Sequence, residues 1–258
     1  MAHSERMKIL GVIPARYHST RLEGKALLDI GGKPMIQRVY ERARLAPSLS
    51  RVLVATDDER ILRAVESFGG EAVMTKPDHA SGTDRVAEVA RSRIADIVVN
   101  IQGDEPLLAP EIIEACVKPL VLDLALEMST ARVRIRDHSD IEDPNVVKVV
   151  CDSTGRALYF SRCPIPYHRG KTGDYAVFEH IGIYAYTKTC LLRFAKLKPT
   201  PLEIIESLEQ LRALENGIAI HAAEVKVEGE TVSVDTPEDL KRVRKLVAAR
   251  ESRAHASD

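Results

Sequence analysis

The sequence contains no tryptophan and only 4% aromatic residues, and nowhere does it interleave aromatics with a basic stripe. Nucleic acids are held by stacking platforms in cationic grooves, so no nucleic-acid partner is expected. Net charge is also lacking: 37 Lys and Arg stand against 38 Asp and Glu, a formal −1 that draws in neither polyanions nor anionic membranes. Any anion must therefore be bound by a local cluster. The four cysteines (Cys116, Cys151, Cys163, Cys190) form no CxxC pair. That argues against a zinc site or disulfide framework and for reduced thiols in a cytoplasmic protein. Apolar runs such as IADIVVNI and PLVLDLALEM stay well under the ~20 residues of a membrane helix, so no membrane partner is expected. MAHSERMKILGVIPAR has too short an apolar core and no small-residue cleavage site for a signal peptide, and Met7 reads as the natural start. Missing too are GxGxxG and GxxxxGK[ST], which rules out the dinucleotide fingerprint and the P-loop.

What is present is α/β alternation. MKILGVIPA, RVLVAT, EAVMT and DIVVNI are short β-branched-rich runs, each followed by a polar loop and a stretch of helical period. This predicts a mostly parallel, Rossmann-like sheet with helices on both faces. Helices are predicted over PMIQRVYERARLA, DDERILRAVESFGG, PEIIEACV and SGTDRVAEVARSRI, the last with Val86, Val89, Ala90 and Ile94 as its apolar stripe. In the second half, VVKVVCDSTGRALYFSR reads as a hairpin around a Ser-Thr-Gly turn and HIGIYAYT as a further strand. IIESLEQLRALENG reads as one amphipathic helix with Ile204, Leu208, Leu211 and Leu214 or Ile205 facing the core. TPEDLKRVRKLVAAR reads as a helix behind a Thr-Pro cap, followed by a fraying tail, ESRAHASD. The expected organisation is one domain over 7–250 with a β-rich excursion at about 125–187.

In doubly wound sheets ligands sit at the carboxyl ends of the strands, so the loops there carry the candidate chemistry. The first, GVIPARYHSTRLEGKAL, places Arg16, Arg21 and Lys25 in a loop broken by Pro14 and Gly24, either a phosphate seat or a solvated basic loop. The second, NIQGDEPLL, ends a buried strand in Gln102 and Asp104, either oxygen ligands for magnesium accompanying a polyphosphate or a helix-capping turn. The third, ETVSVDTPEDLKR, places Asp235 before a helix, where a cap is the ordinary use. Asp104 and Asp235 would form a metal pair if the fold brought them together. Arg162 and His180 sit at the ends of β-like runs, where packing or surface roles are ordinary. Glu209 and Gln210 lie off the Ile204/Leu208/Leu211 stripe, and Glu209 can pair with Arg212 three residues on.

The wording and order of these segments go further. PARYHSTRL…GK, ATDD, SGTDR, NIQGDEP, ALYFSR with IP, HIGIY, LE…EQLR and SVDTPEDL, from about Lys8 to Val247, resemble the 3-deoxy-manno-octulosonate cytidylyltransferases, the CMP-Kdo synthetases. The resemblance implies a nucleotidyltransferase that moves CMP from CTP to the anomeric hydroxyl of Kdo and releases pyrophosphate, for lipopolysaccharide synthesis. It implies a homodimer, with an interface expected around HIGIYAY. Carried onto matching positions, it implies that Pro14, Ala15, Arg16, Arg21, Lys25, Ser81, Gly82 and Arg85 bind the nucleotide. Arg16, Lys25 and Asp104 would act in catalysis, and Asp104 and Asp235 would ligate magnesium. Gln102, Arg162, His180, Glu209 and Gln210 would line the sugar pocket. An 8-amino relative of Kdo is the alternative acceptor, and a catalytically silent nucleotide-binding scaffold is a remote alternative. Two departures stand out: Glu23 and Ala26 replace the family's usual prolines, and Tyr167 replaces a tryptophan common in some members.

Overall fold

The computed structural model describes residues 7–18, 22–170, 175–226 and 232–255. Arg21 lies outside the described residues. The chain divides into two compact units, Met1–Pro110 with Glu228–Asp258 and Glu111–Val227. The expected excursion at 125–187 falls within the second.

The first unit is built from β1 (Ile9–Ala15), β2 (Asp29–Ile30), β3 (Lys33–Pro34), α1 (Met35–Ala43), β4 (Arg51–Thr56), α2 (Glu59–Ser67), β5 (Ala72–Met74), α3 (Gly82–Arg91) and β6 (Ile97–Asn100). Its main strands lie in the order β6-β1-β4-β5, all parallel, with Val12 opposite Leu53 on one side and Asn100 on the other. β1 and β6 are apolar and buried almost throughout, as fits strands covered on both faces. The chain leaves β1 toward β4 and β5, then crosses back to place β6 on the far side of β1. Right-handed crossovers put the helices before and after that reversal on opposite faces, and the reversal itself opens a crevice beyond the ends of β1 and β6.

Local sequence explains the helix ends. α1 starts after Pro34; Asp58 caps α2 by accepting from the Arg60 N–H at 2.9 Å; Ser81 and Asp84 form a reciprocal capping box on α3. Val86, Val89 and Ala90 are buried as expected, but α3 ends at Arg91 and Ile94 is 82% exposed, because Ser92 and Arg93 have already turned out of the helix.

The second unit follows α4 (Pro110–Leu122) with β7 (Met128–Arg134), α5 (His138–Glu142), β8 (Lys148–Cys151), β9 (Ala157–Ser161), β10 (Phe178–Thr187), α6 (Lys188–Phe194), α7 (Pro201–Glu206), α8 (Gln210–Glu215) and β11 (Ile220–Glu224). Antiparallel pairing dominates here: β10 with β7 and β8, and β8 with β9, while β11 runs parallel to β7. The predicted hairpin is β8–β9, its turn held by Asp152 accepting from the Thr154 and Arg156 N–H groups, with Gly155 at φ 87°. HIGIYAYT forms most of β10. His180, Ile181, Ile183, Ala185 and Tyr186 are buried.

The predicted single helix at IIESLEQLRALENG is two. Ser207 adopts φ 52°, and α7 and α8 meet at a corner where Leu208 and Leu211 are buried but Ile204 and Ile205 are exposed. The break is held by side chains from elsewhere: Arg162 donates from Nε to the Glu206 carbonyl at 2.8 Å, and the Glu206 carboxylate accepts from Ser161 Oγ and the Arg162 N–H. Helical periodicity cannot register such distant bonds.

The chain closes in the first unit with α9 (Pro237–His255), whose Leu240, Val243 and Val247 pack with Ile30, Met35, Leu107 and Val234. It is a continuous helix through much of the tail expected to fray; residues 256–258 lie outside the described set.

Candidate active site

A cavity of about 300 Å³ lies in the crevice at the ends of β1 and β6 of the first unit, lined by Pro14, Ala15, Arg16, Lys25, Ser81, Gly82, Arg85, Gln102, Asp104 and Asp235, with Ala26, Met35, His79, Ala80 and Gly103. Every nucleotide and metal candidate among the described residues is therefore in one place, although Asp104 and Asp235 are 131 positions apart (235 minus 104).

Backbone geometry shapes the floor. A Cβ on Gly103 would stand 2.8 Å from the Pro14 carbonyl oxygen, so only glycine lets the β6 loop pass the end of β1 this closely. Gly82 packs against the Pro14 ring at the N-terminus of α3. That ten-residue helix turns its positive end toward the cavity, a favourable setting for phosphate. The Ser81 hydroxyl accepts from the Asp84 N–H at 3.1 Å.

The charged centre is Lys25. A turn from Leu22 to Lys25, with Gly24 at φ 65° and ψ 20° in its third position, delivers this residue into the cavity. Its ammonium donates to Asp104 Oδ2 at 2.7 Å and to Asp235 Oδ1 at 2.9 Å, and the side chain is 14% exposed. Asp104 and Asp235 thus do not spend their carboxylates as the helix caps that local sequence suggested. α9 is capped instead by Thr236 and Asp239, each accepting from the other's backbone N–H. The Val234 N–H donates to the Asp104 carbonyl at 2.9 Å, which ties the α9 approach to the β6 loop. Arg16 is exposed at the cavity edge.

Arg85 is placed differently from the expectation. It borders the cavity, but it is buried, and its guanidinium is engaged by Asp57 at 2.9 Å, Thr75 Oγ1 and the Lys76 carbonyl. It is thus a brace between the loops after β4 and β5 and the α3 N-terminus. His79, which sequence reasoning missed, lines the cavity and is bonded through Nε2 to Glu88. Its one signal was its place just before SGTDR.

Of the sugar candidates, Gln102 lines this cavity and the others belong to the second unit. His180 is buried, Nε2 3.0 Å from Thr130 Oγ1, with Phe160 and Tyr184 rings against it; burial pushes its pKa down to about 3, so the ring is neutral. Gln210 is buried and its Nε2 has no hydrogen-bond partner among the described residues. Glu209 Oε1 is 3.6 Å from Arg212, whose guanidinium also holds Glu203 through Nε at 2.7 Å. Arg162 gives its guanidinium to the Pro144, Glu206 and Ser207 carbonyls. Sequence reading missed Lys148, which is fully buried on β8 and donates to the Asp143 and Val146 carbonyls at 2.8 and 2.6 Å. A lysine between paired valines in VVKVV was the available signal.

Among the described residues, no three metal-binding side chains cluster, and no helix is long and apolar enough to cross a membrane. The donor set at Asp104 and Asp235 nonetheless fits magnesium: two hard carboxylates converge on one cation, and this ion usually takes its remaining ligands from substrate phosphates and water.

Comparison with known proteins agrees with this architecture. The cytidylyltransferase family model matches residues 10–226. The 3-deoxy-manno-octulosonate cytidylyltransferase of Solibacter usitatus is 55% identical over 94% of this chain and 95% of its own, and that of Geobacter metallireducens 51% over 92% and 96%. A solved structure of CMP:2-keto-3-deoxy-manno-octonic acid synthetase complexed with CTP superposes with a TM-score of 0.89 at 47% identity, covering 94% of this chain and 99% of that one. A cytidylyltransferase from Leptospira borgpetersenii, 19% identical with a TM-score of 0.62 over 94% of this chain and 87% of its own, shares the fold. The chain belongs to the cytidylyltransferase family, among the 3-deoxy-manno-octulosonate cytidylyltransferases.

Proposed function

We propose that this chain transfers CMP from CTP to the anomeric hydroxyl of 3-deoxy-D-manno-octulosonate, releasing pyrophosphate. The single observation that carries the reading is the convergence of Lys25, Asp104 and Asp235 in a cavity at the reversal of a parallel sheet, beside a helix N-terminus. Attack of the sugar hydroxyl on the α-phosphorus builds negative charge on phosphoryl oxygens and on departing pyrophosphate, so placed cations are the catalysts the reaction needs. Arg16 offers a planar guanidinium to phosphate oxygens and Lys25 an ammonium, while Pro14, Ala15, Ser81 and Gly82 line the cavity beside them. Asp104 and Asp235 would hold magnesium, which supplies charge neutralisation at the phosphates when bound. No protein nucleophile is required.

Recognition of the acceptor is assigned to Gln102, His180, Glu209 and Gln210, with Arg162 holding the backbone that carries the last two. The unpartnered Gln210 Nε2 is a donor that a sugar oxygen would satisfy, and leaving it unmet is costly. The reaction draws on CTP, in keeping with a cytoplasmic enzyme that serves lipopolysaccharide synthesis and works as a homodimer. The test is pyrophosphate release with magnesium, offering Kdo, 8-amino-Kdo or a sialic acid as acceptor and CTP, ATP, GTP or UTP as donor. Release with CTP and Kdo alone is the expected result. Release only with the amino sugar would move the chain to a different product, and no release with any pair would overturn the reading.

A further inference from the structure

Lys25 places a positive charge where a divalent cation would otherwise be required. Its Nζ lies 2.7 Å from Asp104 Oδ2 and 2.9 Å from Asp235 Oδ1, so one nitrogen occupies the ground between both carboxylates. Of the other guanidinium groups that line the cavity, Arg85 is engaged by Asp57, Thr75 Oγ1 and the Lys76 carbonyl, and Arg16 is exposed at the cavity edge. An ammonium and a divalent ion cannot both sit in contact with the same two oxygens, because their mutual repulsion at that range offsets what the carboxylates offer. Lys25 reaches these oxygens from a short turn after Gly24, on a flexible four-carbon stem that can swing to new partners without moving the sheet.

We infer that Lys25 is a placeholder cation that keeps divalent metal out of the nucleotide-free site and vacates it when a triphosphate offers its own oxygens. This rests on the reading that Asp104 and Asp235 hold magnesium. Nucleotide and metal then bind with positive coupling, each raising the affinity of the other by the same factor. The two carboxylates never face solvent as an uncompensated pair.

The test uses the full chain without nucleotide and manganese as the probe, with free and bound ion separated by electron paramagnetic resonance. Wild type is expected to bind weakly. Lys25→Met and Lys25→Gln, two neutral variants in case one fails to fold, are each expected to bind at least about tenfold more tightly, since the ammonium that competes with the ion for both carboxylates is gone. Lys25→Arg keeps the charge and is expected to stay within about twofold of wild type, as is Arg16→Gln, whose exposed charge acts only through screened space. Adding Asp104→Asn to Lys25→Met is expected to abolish the gain. If the neutral variants bind no more tightly than wild type while Asp104→Asn removes the manganese that wild type retains with CTP, the placeholder role is overturned and the metal site stands. A gain in Arg16→Gln equal to that in Lys25→Met would overturn it as well, by reducing the effect to general charge. If losing Asp104 and Asp235 changes manganese binding in no protein, with or without CTP, the metal reading falls and the placeholder with it.

Discussion

Lys25 in the first unit and Lys148 in the second are both withdrawn from solvent, and they are satisfied in opposite ways. Lys25 donates to two partly exposed carboxylates, whereas Lys148 donates to two backbone carbonyls, and Arg162 beside it gives its guanidinium to three more. Side-chain partners can be exchanged for a ligand at small cost; backbone partners cannot be released without unfolding the loop they hold. Lys25 is therefore a cation held for chemistry, and Lys148 and Arg162 are cations held as framework.

The sharpest way to break this contrast is to remove one cation of each kind. Lys25→Ala and Asp104→Asn should each lower turnover about a thousandfold, the scale of losing a placed transition-state charge, while the melting temperature stays within a few degrees of wild type. Normal turnover in either variant would remove the site. Lys148→Ala should show the reverse, losing about 3 kcal/mol in urea unfolding through a cavity and two unmet carbonyls. If it instead unfolds like wild type, the framework role is wrong.

Arg162→Ala sharpens the contrast from within the second unit. It should cost about 2 kcal/mol and raise KM for the sugar more than KM for CTP, because the corner at Ser207 carries Glu209 and Gln210. Arg162→Lys should recover little, since an ammonium cannot span three carbonyls set for a planar fork.

Two groups of the second unit, the half-buried Glu179 and the buried His180, predict a pH signature of smaller size. Burial, with Asp140 adding like charge, pushes Glu179 up to about 7, so the stability it contributes is present below its ordinary 4.5 and is lost as pH rises through about 7. Burial pushes His180 down to about 3, so the unfolded chain takes the proton first and stability falls as pH drops from about 6.5 toward 3. The two slopes oppose each other between about 4.5 and 6.5. The difference in unfolding free energy between wild type and His180→Gln, followed by urea denaturation, should therefore change with pH by about one proton over 3.5–6. No pH dependence in that difference would mean that His180 is not buried as a neutral ring.

The smallest expected effect is at Glu23, the first of the two positions where the family usually has proline. It occupies the second place of the turn from Leu22 to Lys25, and Gly24 at φ 65° and ψ 20° gives that turn a type II form, in which proline is favoured. Glu23→Pro should lower KM for CTP by about two- to fivefold through loss of loop freedom, with kcat little changed. A rise in KM would show that the loop needs its mobility to close on the triphosphate.

The sequence by itself determined the parallel strands of the first unit, the Thr236 cap of α9, the β8–β9 hairpin and most of the polar residues that line the cavity. These follow from hydrophobic period, side chains that bond their own neighbours, and motif wording, all of which act over a few residues. Only the tertiary structure decided that Asp104 and Asp235 meet on one lysine, that Arg85 braces Asp57, and that Arg162 breaks the helix expected through Ser207. Each of these is a bond between groups far apart in the chain, worth enough in a buried setting to override the local preference of the residues it joins.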